Sequence, residues 1–172
     1  MDTLTQFDKE KKHVTILSWI LIIGSALILL KTLLLINGYS SMIKLQSATN
    51  DFNPPVQINF TLYFISNAIE LLLSIIVFAA AVFVLQYKNL WRKVLITGLI
   101  ASIVFLLVSP IINFSAFQFP HMVMMKGMDR MMLSSVKTSM LIWSYFWSIV
   151  MTIFFIFVIK TLSKKEVQKL FQ

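Results

Sequence analysis

TLYFISNAIELLLSIIVFAAAVFVLQ, residues 61–86, carries one formal charge, Glu70, in a run long enough to cross a bilayer. About 20 apolar residues span a hydrocarbon core of roughly 30 Å as a helix. Three more such runs follow the same rule, so the predicted spans are about 14–36, 61–86, 94–114 and 139–161. Backbone amides cannot stay unpaired in lipid, and so few segments cannot close a barrel, so each run must be helical. The expected fold is all-α: an integral membrane, antiparallel four-helix bundle, with the 172 residues forming a single four-span domain.

Composition agrees with the bilayer as solvent. Hydrophobic residues make up 58% of the chain, charged residues 13%, and the mean hydropathy is +0.84. An ordinary soluble domain has about half apolar and a quarter charged residues. There is no cysteine, which excludes disulfides, thiolate metal sites and membrane oxidoreductases that work through cysteine pairs. The first apolar run lacks the small-residue cleavage pattern of a signal peptide at Ile36-Asn37-Gly38-Tyr39, so it is expected to stay as an anchor.

The net charge of +8 does not read as a nucleic-acid footprint, because the Lys and Arg cluster at span ends. About ten flank the N-terminus, the second connection and the C-terminus, against about four in the first and third connections. Both termini are therefore expected in the cytoplasm. Trp19, Tyr87 and Trp91 fall at the inner interface in this register, and Tyr39, Tyr63, Trp143 and Trp147 fall near the outer one. The bare loops and compact size point to a plasma membrane, that of a bacterial cell, with lipid as the principal partner and anionic lipid against the basic termini.

Within span two, Tyr63, Asn67, Glu70 and Ser74 recur at helical spacing and form a polar stripe on an apolar helix. A carboxylate at membrane depth must be neutralised, paired or used, which makes Glu70 the leading candidate site residue. Lys31 is its expected partner. With spans one and two running in opposite directions, the two residues differ in depth by roughly 6 Å at about 1.5 Å per residue, within a lysine's reach. The alternative is that Lys31 snorkels to the interface and Glu70 is a neutral, hydrogen-bonded packing residue.

The third connection, Pro120-His121-Met122-Val123-Met124-Met125-Lys126-Gly127-Met128-Asp129-Arg130-Met131-Met132, holds six of the ten methionines. Thioethers are soft ligands, so Met124, Met125, Met128 and His121 form a candidate Cu(I) or Ag(I) site. An interfacial helix with Met towards lipid and Lys126 and Arg130 towards water is the favoured reading of the same segment. Gly98 and Ser102 on span three, and Ser144, Ser148 and Thr152 on span four, read as helix-packing seams. Pro110 should bend span three, with Ser109 compensating the carbonyl of Leu106. Asn53-Pro54-Pro55 should break the first connection, and the two Asn-x-Ser/Thr triplets hug span ends and read as chance.

No Gly-rich phosphate loop, His/Asp/Glu metal set or nucleophile with a base is present, so neither a catalytic residue nor a cofactor is expected. The function expected from these residues is non-enzymatic, an accessory or interaction role with a homo-oligomeric or other membrane-protein partner. A proton- or cation-coupled transporter or channel using Glu70 is the alternative, and a Met-rich copper or silver handling protein is the third.

Overall fold

A computed structural model describes residues 2–48, 57–118 and 130–171. Among the described residues there are four long helices: α1 (Asp2–Ala48), α2 (Phe60–Val84), α3 (Asn89–Ala116) and α4 (Arg130–Leu162), followed by the short α5 (Lys165–Gln168) and a 3-10 turn at Lys169–Phe171. Each long helix contains a segment long and apolar enough to cross a membrane, namely Asp8–Gly38, Thr61–Val84, Asn89–Ser115 and Thr138–Leu162. α1, α3 and α4 overrun the predicted spans because hydropathy marks where a helix can sit in hydrocarbon, whereas its hydrogen-bond ladder continues into water wherever the residues favour it; α2 instead ends at Val84, two residues short of the predicted 86. α1 shows this best, with Lys9, Glu10, Lys11 and Lys12 helical ahead of the apolar run predicted from residue 14.

One detail was not anticipated. Two-residue strands, β1 (Gln57–Ile58) and β2 (Phe117–Gln118), pair antiparallel with Gln57 opposite Gln118 and Ile58 opposite Phe117. The pair sits just before α2 and just after α3, where the chain leaves helix and its amides need new partners. At the start of α2, Asn59 Oδ1 accepts from the Leu62 amide at 3.2 Å, capping the helix.

α1 packs on α2, α2 on α3 and α3 on α4, whereas α1 and α4 touch over little of their length. Gly98 sits at a close α2–α3 approach: a Cβ there would lie 3.2 Å from Ile76 Cγ2. α3 continues through Pro110 to Ala116, and Ser109 Oγ lies 3.5 Å from the Leu106 carbonyl, a long contact that offers little compensation.

The densest packing lies at one end. Val14 of α1, Val84 of α2, Leu95 and Leu99 of α3, and Val158 and Leu162 of α4 are essentially fully buried in one cluster. The tail completes it. Residues 165–171 turn back, and Val167 and Phe171 enter the same cluster at 0% and 5% exposure. Lys164 Nζ reaches Glu10 Oε1 of α1 at 3.7 Å, while Lys164, Lys165 and Lys169 remain exposed.

The tight α2–α3 connection is held by the same packing. Tyr87 adopts φ 55, a left-handed conformation that costs a non-glycine residue about 1–2 kcal/mol. Its hydroxyl lies 3.2 Å from Thr15 Oγ1, and its ring centroid lies 5.7 Å from that of Phe171. Beside it Phe83 and Trp91 stack with centroids 4.4 Å apart, closing α2 against α3.

Candidate functional site

Away from the tail, the helices separate. A cavity of about 920 Å³ is lined by all four long helices. Leu21, Val77 and Phe155 belong both to its wall and to the packed cluster, so they form its floor. Tyr63 and Asn113 mark the opposite end, since each lies near the chain end of its helix remote from the cluster. From Tyr63 to Val77 the cavity follows α2 for roughly 21 Å at about 1.5 Å per residue.

Glu70 and Lys31 meet on this wall. Lys31 Nζ donates to Glu70 Oε1 at 2.8 Å, joining α1 to α2. Their side chains are 54% and 27% exposed, which distinguishes them from a pair sealed in a helix seam: both border the cavity. Removing a carboxylate and an ammonium from water is costly, and each supplies the charge that makes the other tolerable at membrane depth. Asn67, 6% exposed, donates from Nδ2 to the Tyr63 carbonyl at 2.8 Å, so the third predicted residue lines the same wall one turn from Glu70.

Serines furnish most of the remaining polarity. Ser74 Oγ donates to the Glu70 carbonyl at 2.8 Å, Ser102 Oγ to Gly98 at 2.8 Å, and Ser25 Oγ to Leu21 at 2.6 Å. A hydroxyl has one hydrogen, so each of these serines spends its donor on its own helix and retains acceptor capacity. The rest of the wall is apolar and aromatic, including Phe105, Phe154, Trp143 and Trp147, the two tryptophans meeting edge to face with centroids 6.0 Å apart.

The α3 and α4 contributions were missed by sequence reasoning. Ser102, Ser144 and Ser148 read as packing seams and Trp143 and Trp147 as interfacial anchors, yet all five line the cavity. The available signal was that small polar residues recur on all four spans, where close-packed seams would have needed them on only two facing helices. Thr152, from the same predicted seam, has a buried hydroxyl oxygen without a partner among the described residues.

Met124, Met125, Met128 and His121 lie outside the described residues, as does the interfacial helix expected from Pro120. Among the described residues there is no cluster of three His, Cys, Asp or Glu that could hold a metal ion. No family model matches the chain, no curated protein is detectably similar to it in sequence, and no solved structure is detectably similar to it.

Proposed function

We propose that this is a non-enzymatic binding protein of a plasma membrane, an antiparallel four-helix bundle with both termini cytoplasmic, that takes its ligand into the Glu70 cavity from within the membrane. The observation that carries the reading is the union of volume and charge: about 920 Å³ lined from four helices, with the Lys31–Glu70 pair on its wall. Ligand sites are concave, mostly apolar, about 300–1,000 Å³ in volume and carry a few convergent polar groups.

The packed end argues for a one-sided site. Leu95, Leu99, Val84, Val158 and Leu162 are buried together in one apolar cluster at the other end, which weighs against a static channel. A small proton- or cation-coupled transporter is the second reading, favoured specifically by a titratable pair bordering the cavity. The accessory role expected from the sequence is compatible with the first reading, with the ligand serving as signal or cargo for a membrane partner.

The absence of cysteine makes the test direct. Single cysteines at Gly24, Ser109 and Ser144, half-buried positions on the cavity wall, should react with a small thiol reagent, whereas cysteines at Val84 and Leu99 in the packed end should not. Equal protection of both groups would show that the helices close on one another, and the binding reading would fall.

A further inference from the structure

We propose that the cavity accepts a hydrophobic organic cation, an ammonium or phosphonium group carried on aromatic or aliphatic bulk, with Glu70 as its counter-ion and Lys31 as a tethered competitor for the same carboxylate. This rests on the cavity being a binding site, as proposed above.

The sign of the ligand follows from which of the two charges is fixed. Among the described residues that line the cavity, Glu70 is the one acid and Lys31 the one base. Glu70 is on a short stem and is the less exposed of the pair at 27%, whereas Lys31 ends a flexible four-carbon stem and is 54% exposed. The carboxylate is built into the wall, and the ammonium can leave it. An arriving cation exchanges one ammonium-type partner of Glu70 for another, and the freed Lys31 has the stem length to snorkel towards the interface. The Coulomb terms of this exchange largely cancel, so binding is driven by the apolar remainder of the ligand.

The walls suit that remainder. Ser25, Ser74 and Ser102 have donated their hydroxyl hydrogens to helix carbonyls and present acceptor oxygen, which favours a positive guest over a negative one. Trp143 and Trp147 add aromatic faces that attract cations. An anion would find a single positive group already neutralised at 2.8 Å and a carboxylate beside it.

Tetraphenylphosphonium is a suitable probe for the full chain in detergent micelles, read by calorimetry and by the rise in melting temperature. Saturable binding is expected for the wild type. Glu70→Gln should weaken it at least tenfold. Lys31→Met should tighten it several-fold, because the internal competitor is gone, and should show the larger ligand-induced rise in melting temperature even if it starts less stable. The double variant Lys31→Met/Glu70→Gln, which leaves no unpaired charge, serves as the folded control and should bind as weakly as Glu70→Gln. Weaker binding by Lys31→Met would overturn the proposal in favour of a zwitterionic or anionic ligand that uses both charges. Undiminished binding by Glu70→Gln or by the double variant would reduce it to unspecific partition into an apolar cavity. Absence of saturable binding, with the Ser109 and Ser144 cysteines still reactive, would remove the cation and leave the binding cavity standing; loss of that reactivity would remove both.

Discussion

Arg92 Nη1 donates to the backbone carbonyl oxygen of Leu162 at 3.0 Å, so the first turn of α3 caps the last residue of α4. The final carbonyls of a helix lack internal partners and carry the negative end of its dipole, which makes a guanidinium an apt terminus. The same side chain receives no slack elsewhere: its Nε and Nη2 donate to Asn89 Oδ1 at 3.2 and 3.0 Å, and its Cζ lies 5.7 Å from the centre of the Phe171 ring. At 7% exposure, a residue whose charge first reads as an orientation signal is also a three-way clamp.

Replacing Arg92 by Met should cost about 2–3 kcal/mol, since hydrogen bonds from a charged donor are lost and the Leu162 carbonyl is left without its partner. Lysine should recover only part of this, because it lacks the rigid fork whose three nitrogens reach Leu162 and Asn89 at once. Unfolding in mixed micelles measures both; equal stability of wild type and Arg92→Met would remove the clamp.

Truncating Phe171 to Ala should destabilise the packed end by about 3 kcal/mol, the low end for emptying a buried aromatic site, because a terminal segment can relax. The side chain is 5% exposed and touches the strained Tyr87 turn, so hydrogen exchange at residues 85–88 should rise in the same variant. Unaltered exchange there would mean that the tail does not support the turn.

The membrane helices were legible because a hydrocarbon core sets a minimum length that few soluble sequences meet, and residues 61–86 meet it around one charge. The Lys31–Glu70 meeting was legible for a similar reason: opposed helices and a fixed rise per residue make depth a calculable quantity. The cavity was not, because it depends on α1 and α4 standing apart, a distance that no single helix encodes. Ser144 and Ser148 have the same spacing whether they face a neighbouring backbone or an open space. The tail was half legible: Val167, Leu170 and Phe171 show that it needs an apolar partner, and only the fold shows that the partner is the cluster around Val84 and Leu162.

Both ends of the chain should report from the cytoplasmic side, given about ten Lys and Arg flanking that side against about four on the other. The tail packing against the start of α1 adds a structural demand, since Lys164 and Glu10 lie 3.7 Å apart and must share one face of the membrane. Cysteines introduced at positions 2 and 172 should resist an impermeant thiol reagent in intact cells and react after lysis; labelling of either one before lysis would invert the topology.

The Lys31–Glu70 pair should behave as a coupled unit in stability as well as in binding. Breaking a fully buried pair typically costs about 3–5 kcal/mol, so with Lys31 54% and Glu70 27% exposed, Lys31→Leu and Glu70→Leu should each destabilise the protein by less than that. The Glu70→Leu loss should be the smaller, because the orphaned lysine can extend to the interface, whereas an orphaned carboxylate on α2 has no comparable stem. The double leucine variant removes both desolvated charges and should regain much of the loss, since apolar groups of similar size are often neutral replacements for such pairs. Unfolding of the four proteins in bicelles gives the coupling energy directly, and additive effects, with no coupling beyond about 0.5 kcal/mol, would mean that the 2.8 Å contact contributes nothing to holding α1 on α2.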